Sequence, residues 1–214
     1  MTPLNDTPQP TNQSQKNGFA VDPIQATFRG GKHEPLHTWY PYLEGYSPEF
    51  VREVISTYAP HAQHIIDPFA GTGTTPLTVM QMGRKGFYCE INPVLRFLIQ
   101  TKVKAYLADK DARKRVTSRL KALADQLEPT FLASSEDPGL IQTYSNTFGK
   151  STFFDAETRS LVLRARTVVD TLHEEQSLLS DLFCVSVLGT IVASSNLIRA
   201  GDVKYRRSEA EWNK

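Results

Sequence analysis

The sequence predicts an α/β fold in which a small parallel sheet is followed by a helical extension. Two short apolar runs, at 64–66 and 86–90, flank a glycine-containing turn and a helical pattern, as in a strand–helix–strand unit. A long helical stretch begins near residue 92. Of the 214 residues 40% are hydrophobic, so the chain can bury a sizeable core. This length suits one compact domain with a small appendage.

Composition excludes several classes of protein. The 24 Lys and Arg residues against 23 Asp and Glu give a net charge of +1, so no global basic field indicates nucleic acid. No run approaches the roughly 18 apolar residues of a membrane span, and the N-terminus lacks a signal-peptide core. The two cysteines, Cys89 and Cys184, lie in apolar contexts and are expected to be core thiols. We therefore expect a cytoplasmic protein without a membrane span or a metal site.

The chain divides into four predicted segments. Residues 1–30 are polar and rich in proline, so a flexible tail is expected. Residues 31–105 are expected to contain the sheet, and residues 106–200 to form a helical extension. Residues 201–214 are expected to be a basic, polar tail.

Before the sheet, a first helix is predicted to begin at Ser47, with Pro48 as its first helical residue and Pro60 as its end. The helix after the glycine turn is expected to end near Gly83, and the long helical stretch to break near Asp109.

In the extension, residues 129–152 are expected to be a loop, followed by helices at 155–173 and 177–194. The end of the chain, 199–207, is predicted to be basic and loop-like. The basic stretch 102–121 is interpreted as a solvated helix face, with phosphate contact as the alternative.

The turn between the two predicted strands is the candidate binding site. It reads Asp-Pro-Phe-Ala-Gly-Thr-Gly-Thr-Thr from Asp67 to Thr75, and Glu90 follows Gly71 by 19 residues. Glycines let the backbone approach a ligand closely, and the amides at the start of the next helix point at a polar group. A carboxylate at the end of the second strand can accept hydrogen bonds from ribose hydroxyls. The pattern therefore predicts an adenosine-containing ligand.

Two common nucleotide motifs do not fit this turn. The dinucleotide fingerprint requires a third glycine where this sequence has Pro76, and the phosphate-binding loop requires a lysine after its glycine. A nicotinamide-dependent dehydrogenase is therefore disfavoured.

The turn instead closely resembles motif I of the S-adenosylmethionine-dependent DNA amino-methyltransferases, which modify adenine N6 or cytosine N4. The resemblance covers roughly residues 33–105 and implies a partial Rossmann-like methyltransferase sheet, with the helices at 155–195 similar to a helical insert of some members. It also implies that the turn cradles the methionine part of S-adenosylmethionine and that Glu90 binds the ribose. The segment Trp39-Tyr-Pro-Tyr looks like motif X, which closes over the cofactor. The cofactor-binding residues expected on this basis are His37, Trp39, Tyr40, Pro41, Asp67, Pro68, Phe69, Ala70, Gly71, Thr72, Gly73, Thr74, Thr75, Glu90, Ile91 and Asn92.

The family's catalytic motif, Asp/Asn/Ser-Pro-Pro-aromatic, has no counterpart, because the sequence contains no two consecutive prolines. No catalytic residue is therefore assigned. We expect a second polypeptide to carry that motif, in a restriction-modification or related defence system, with a truncated product as the alternative. A sheet of only two convincing strands also invites pairing with another chain.

Two other functions stay open. One is a non-catalytic subunit that binds S-adenosylmethionine or DNA for assembly or regulation. The other is a transfer RNA guanine methyltransferase, whose motif I is similar, although its usual preceding RNA-binding domain has little room here. DNA is the expected partner, and the basic residues near the end of the chain are its candidate contacts: Arg199, Lys204, Arg206 and Arg207.

Overall fold

A computed structural model describes residues 26–27, 34–40, 42, 45–149, 151–200 and 202–206, so most of the predicted tail at 1–30 lies outside the described residues. Helices dominate this part of the chain, and two small sheets accompany them. In chain order the elements are a short 3-10 helix (His37–Trp39), α1 (Pro48–Tyr58), β1 (His64–Asp67), α2 (Thr74–Gln81), β2 (Lys85–Tyr88), α3 (Pro93–Leu107), α4 (Lys110–Asp125), α5 (Leu127–Ala133), α6 (Pro138–Phe148), α7 (Ala156–Glu175), α8 (Ser177–Thr190), β3 (Leu197–Ala200) and β4 (Asp202–Tyr205).

The start of α1 follows the predicted capping pattern. The Ser47 hydroxyl accepts a hydrogen bond from the Phe50 backbone N–H at 3.0 Å, and Pro48 occupies the first helical position. A serine at the N-cap satisfies one of the free N–H groups of the first turn, while proline is preset for a helical φ. The helix ends at Tyr58, two residues before Pro60.

Strands β1 and β2 pair in parallel on either side of α2, which confirms the strand–helix–strand unit. On one sheet face, Ile65 packs against a cluster formed by α1 and α2. On the other face, Ile66 and Phe87 lie directly opposite each other and are 67% and 52% exposed. Helices therefore cover only one face of this sheet within the described residues.

Helix α2 approaches β2 closely at a glycine of the strand. A Cβ atom on Gly86 would lie 3.0 Å from both the Cα and the carbonyl oxygen of Pro76. The dinucleotide motif places its third glycine on the helix to allow such close packing. In this chain the strand supplies the glycine, so the helix can carry a proline.

The predicted break of the long helical stretch is confirmed, since α3 ends at Leu107 and α4 begins at Lys110. Asp109 caps α4, and its Oδ1 accepts a hydrogen bond from the Ala112 N–H at 2.7 Å. An aspartate at this position favours a new helix over continuation of the old one.

The loop predicted for residues 129–152 is wrong, because α6 and most of α5 lie in this range. Asp137 caps α6 by accepting a hydrogen bond from Leu140 N–H at 2.9 Å, and Pro138 is the first helical residue. A capping residue followed by proline starts a helix, although proline and glycine in such a segment also favour a loop.

The predicted helices at 155–173 and 177–194 are confirmed as α7 and α8, although α8 ends earlier, at Thr190. With α4 they enclose the largest hydrophobic cluster in the described part of the chain. Its buried members are Val116, Leu123, Val168, Val169, Leu172, Leu178, Leu179 and Phe183.

The loop predicted for residues 199–207 is also wrong, because β3 and β4 form an antiparallel hairpin. The backbone N–H of Asn196 donates to the Phe153 carbonyl at 2.7 Å, and the Tyr205 ring stacks on Phe153 with centroids 5.8 Å apart. Contacts distant in sequence thus stabilise two four-residue strands that carry little local signal.

Among the described residues, no helix is both long enough and apolar enough to cross a membrane. In the same residues, no three His, Cys, Asp or Glu side chains are grouped so as to hold a metal ion.

Candidate functional site

A cleft of about 640 Å³ lies at the carboxyl ends of β1 and β2. Its volume is in the range of small-molecule sites, and its position is where parallel α/β sheets bind ligands. The lining residues are Tyr42, Pro68, Phe69, Gly71, Cys89, Glu90, Ile91, Asn92 and Leu95.

The turn from β1 into α2 requires glycine at two positions. Gly71 has φ 54° and Gly73 has φ 86°, a region that other residues rarely adopt. A Cβ atom on Gly73 would also lie 2.7 Å from Cγ1 of Ile99 on α3. The turn closes through a hydrogen bond of 2.8 Å from Gly73 N–H to the Ala70 carbonyl. A side chain at Gly71 or Gly73 would therefore strain the backbone or collide with a neighbouring residue.

Asp67 organises the turn from inside. Its Oδ1 accepts the Phe69 N–H at 3.0 Å, and its Oδ2 accepts the Tyr46 hydroxyl at 3.0 Å. Because that hydroxyl has one proton, the Thr75 hydroxyl, 2.6 Å away, donates to Tyr46. Burial raises the pKa of Tyr46 to about 12. Asp67 and Thr75 thus fix the start of α2, and neither lines the cleft.

Glu90 joins the second strand directly to the turn. Its Oε2 accepts the Gly71 N–H at 2.8 Å, and its Oε1 accepts the Asn92 N–H at 2.8 Å. A carboxylate has about four lone-pair positions, so each oxygen keeps acceptor capacity for a hydroxyl. Gly71 and Glu90, which are 19 residues apart in the sequence, are therefore in direct contact. The two hydrogen bonds hold the Glu90 carboxylate in one orientation.

Some of the other predicted residues of this region line the cleft, and the rest stabilise the turn or the start of α3. Ile91 and Phe69 are 97% and 88% exposed and present apolar surfaces to the cleft, together with Pro68. Asn92 caps α3, with its Oδ1 accepting the Val94 N–H at 2.9 Å. The remaining members of the turn are buried or half-buried supports: Ala70, Thr72 and Thr74.

The upstream aromatic segment packs over α3. Trp39 and Tyr40 contact a cluster of α3 and α8 residues and do not line the cleft, whereas Tyr42 does. The predicted Pro41 lies outside the described residues. His37 is largely buried, and neither ring nitrogen has a hydrogen-bond partner in the described structure. Burial, together with the smaller effect of the positive charge of Lys102, lowers the pKa of His37 to about 4.

The ammonium of Lys102 lies beside the turn. Lys102 is 2% exposed, and its Nζ donates to the Thr72 carbonyl at 2.9 Å. The interpretation of 102–121 as a solvated face is therefore wrong at this residue. Burial lowers the pKa of Lys102 to about 8.

Three of the four basic candidates for DNA contact are described, and they lie in the hairpin or directly after it, which does not line the cleft. Lys204 is exposed on β4. The Arg206 guanidinium donates to the Ser195 carbonyl at 3.1 Å and to the Ala193 carbonyl at 2.9 Å, so it ties the hairpin to the end of α8. Arg199 lies in β3, and Arg207 is outside the described residues.

Sequence reasoning missed several site residues. Tyr42 lines the cleft, and its place in the aromatic segment 39–42 is a signal that could have identified it. Tyr46 and Lys102 act on the turn from 21 to 30 residues away, and no local pattern indicates this. Cys89 is exposed in the cleft, contrary to the expected core position, because it follows the last residue of β2.

Comparison with known proteins agrees with the turn and its acid. Residues 10–100 match the family model described as DNA methylase. The type II methyltransferase M.BsoBI of Geobacillus stearothermophilus is 31% identical over 77 residues, which are 36% of this chain and 15% of that protein. The type II methyltransferase M.AvaI of Nostoc sp. is 29% identical over 77 residues, 36% of this chain and 16% of that protein.

The matched segment thus spans about 15% of the length of these curated relatives, and no solved structure matches the chain. The turn, its acid and the family match nevertheless agree. The resemblance to DNA amino-methyltransferases is therefore confirmed, and residues 10–100 are similar to the DNA methylase family.

Proposed function

We propose that this chain forms the S-adenosylmethionine-binding part of a DNA amino-methyltransferase acting on adenine N6 or cytosine N4. One observation carries the proposal: the Glu90 carboxylate is bonded to the Gly71 N–H at 2.8 Å, at the edge of the cleft. This hydrogen bond holds the Glu90 carboxylate, an acceptor for ribose hydroxyls, beside a turn that requires glycine at two positions.

The residues of the cleft fit this cofactor. Glu90 keeps lone pairs for the ribose, and the exposed side chains of Ile91 and Phe69 offer apolar contact to a flat base. Gly71 lets the Tyr42 ring approach the turn closely, since a Cβ atom on Gly71 would lie 3.1 Å from Tyr42 Cε1. The cofactor, when bound, supplies a methyl group activated by the adjacent sulfonium. The residues of this chain bind and orient it, so that the target nitrogen can approach in line.

We propose that further polypeptide supplies the catalytic loop and the rest of the sheet. No two prolines are consecutive in the 214 residues, and in the described structure β1 and β2 pair only with each other. Parallel sheets are normally covered on both faces, yet Ile66 and Phe87 are exposed on one. A second polypeptide could supply the Pro-Pro-aromatic motif and also cover the exposed face of the sheet. The similarity to type II methyltransferases favours a role in restriction-modification.

The missing loop also favours a second candidate, a subunit that holds the cofactor without taking part in chemistry. The two candidates differ in one respect. A catalytic half restores methylation when it is combined with the polypeptide carrying the loop, whereas a regulatory subunit only changes the rate of an enzyme that is already active.

The test of the proposed function is a calorimetric titration of the purified chain with S-adenosylmethionine. We expect binding by the parent, and we expect Glu90→Gln to weaken it by about 1.5–3 kcal/mol, because the amide offers one acceptor where the carboxylate offers two. The control is Glu128→Gln, which changes an exposed carboxylate on α5 and should bind like the parent. Absence of binding by the parent, or equal binding by Glu90→Gln, would contradict the proposal.

A further inference from the structure

Helix α4 carries a concentrated positive charge. Its 16 residues include six basic and two acidic side chains, so its net charge is +4, whereas the whole chain has a net charge of +1. The rest of the chain therefore carries a net charge of −3. A basic face of this kind attracts polyanions even when the whole protein is almost neutral.

Two of the six basic side chains of α4 have a structural role. The Arg113 guanidinium donates to the carbonyls of Ala108 and Tyr106 at 2.7 and 2.9 Å, so it ties the start of α4 to the end of α3. Arg119 donates to both carboxylate oxygens of Glu175 on α7, at 2.8 and 3.0 Å. The other four are exposed, and within the described structure none of them forms an ion pair: Lys110, Lys114, Arg115 and Lys121.

Three of these unpaired side chains lie along one line of the helix. Lys110, Lys114 and Lys121 follow one another at intervals of four and seven residues, so at 3.6 residues per turn they fall within about 40° of each other. This lysine row is about 16 Å long at 1.5 Å per residue. Thr117 and Ser118, both exposed, lie between its second and third members and add hydroxyl donors. The opposite side of α4 is buried in the cluster with α7 and α8.

A groove of about 710 Å³ lies beside the lysine row, between α4 and the start of α8. Lys114 and Arg115 line it from α4, and Gln176, the N-cap residue of α8, lines it from the other side. The Gln176 side chain makes no capping hydrogen bond, so it does not occupy the N–H groups of the first turn of α8. An anion in the groove would therefore meet two cationic side chains and a helix N-terminus.

Two carboxylates also line the groove, and they do not cancel its positive charge. Glu175 is bonded to Arg119, so this pair is neutral as a whole. Asp111 lies in the first turn of α4, where the helix dipole favours a negative charge. Because Lys114 and Arg115 are unpaired, the side chains that line the groove have a net charge of +1.

We propose that the lysine row and the adjacent groove bind the phosphate backbone of double-stranded DNA. This inference rests on the proposed function, which makes DNA the substrate, and it assigns DNA contact to α4 instead of the hairpin. A duplex carries about one negative charge per 1.7 Å of its axis, so a row of about 16 Å lies beside roughly nine phosphate charges. Ammonium and hydroxyl donors bind phosphate without reading the sequence, so α4 positions the duplex.

The place of α4 in the fold suits contact with duplex that flanks the target base. Asn92, at the start of α3, lines the cleft, and the 15 residues of α3 span about 22 Å from there. Helix α4 begins at Lys110, three residues after α3 ends. Duplex reaching from the cleft to α4 would cover about six base pairs at 3.4 Å each.

The experiment measures binding of the purified chain to a fluorescein-labelled DNA duplex of about 20 base pairs. Fluorescence anisotropy is recorded at several salt concentrations between about 50 and 200 mM, because each phosphate contact adds to the salt dependence of binding. The row variant combines Lys110→Gln, Lys114→Gln and Lys121→Gln. Glutamine removes the charge and is nearly as good a helix former as lysine.

The control variant removes the same charge from other exposed positions. It combines Lys85→Gln on β2 with Arg159→Gln and Arg166→Gln on α7. A second control replaces the three lysines of the row by arginine, which keeps the charge and the ability to bind phosphate.

For the parent we expect the logarithm of the affinity to fall linearly with the logarithm of the salt concentration. The row variant should reduce this slope by about 2.7, which is about 0.9 for each lysine, and bind at least about tenfold more weakly at 50 mM salt. Lys114→Gln alone should reduce the slope by about 0.9. The arginine variant should keep the parent slope, and the control variant should change it by less than about 1.

An unchanged slope in the row variant would overturn the inference. Equal losses in the row and control variants would overturn it too, because net charge rather than α4 would then govern binding. Failure of the parent to bind the duplex would have the same meaning, as would tighter binding of an RNA duplex through the same lysines.

Titration of the parent and the row variant with S-adenosylmethionine separates this inference from the proposed function. Because the lysine row does not line the cleft, both proteins should bind the cofactor equally. Cofactor binding without duplex binding would contradict the inference alone, whereas absence of cofactor binding by the parent would contradict the proposed function. Circular dichroism and thermal unfolding check that the variants fold.

Discussion

The glycine turn with its supports and the helical extension are stabilised in different ways. At the turn, single side chains bond to particular backbone groups, as Glu90 does to Gly71 and Lys102 to Thr72. In the extension, α4, α7 and α8 share a continuous hydrophobic cluster. The first kind of structure depends on the identity of each residue, whereas the second depends mainly on volume and burial. Correspondingly, the family match stops at residue 100, before the extension begins.

The largest expected effect tests the hydrophobic side of this comparison. Phe183→Ala removes a ring that is 6% exposed in the cluster, and it should lower the free energy of unfolding by about 3–5 kcal/mol. Phe69→Ala makes the same change in an exposed ring at the cleft and should cost less than about 0.5 kcal/mol. Urea denaturation of both variants measures the difference, and equal costs would refute it.

The next effect tests whether the turn depends on residue identity. Gly73→Ala combines a strained φ with a collision against Ile99 and should destabilise the chain by about 2–4 kcal/mol. Gly83→Ala has a similar φ of 73° but meets no atom within 4 Å, so only the strain of about 1 kcal/mol applies. Chemical denaturation separates the two contributions, and a smaller loss for Gly73→Ala than for Gly83→Ala would contradict the described packing.

A smaller effect concerns pH and the segment that covers α3. The pKa of His37 falls from 6.5 to about 4 on folding, so the unfolded chain binds a proton more readily. This contribution to stability is complete above about pH 6.5 and is lost as the pH falls toward 4, by about 1–2 kcal/mol between pH 7 and pH 5. His37→Gln should remove that part of the pH dependence in unfolding experiments. His173→Gln, an exposed change on α7, should retain it.

The smallest effect concerns the contact between the two regions. Lys104 on α3 pairs with Asp181 on α8, and the lysine side chain is 44% exposed. Lys104→Met should cost about 0.5 kcal/mol at low salt and almost nothing at high salt. Thermal unfolding at two ionic strengths measures this, and a loss independent of salt would mean that packing, rather than charge, joins the helices there.

The features that could be predicted from the sequence are those with local signals, and the features that could not are those that depend on contacts between distant residues. Strand, turn, helix and capping signals are local, so the unit from Ser47 to Asn92 could be predicted together with the role of glycine in the turn. The hydrogen bonds that Tyr46 and Lys102 make to the turn could not be predicted, because each depends on how separate parts of the chain pack together. The hairpin at 197–205 could not be predicted, because its two four-residue strands depend on contacts with residues distant in sequence. Helix α6 does carry a local start signal, Asp137 followed by Pro138, but proline is also typical of loops.

Helix α3 belongs to both regions. Ile99 and Lys102 reach the turn from one side of it, while Leu98 packs with Val185 of α8. A shift of α8 relative to α3 would therefore reach the glycine turn through Ile99 and Lys102. If a molecule bound to the helical extension and favoured one position of α3, it would change the ligand affinity of the cleft, and a ligand in the cleft would change the affinity for that molecule by the same factor. Helix α3 is thus an element through which two binding events could be linked.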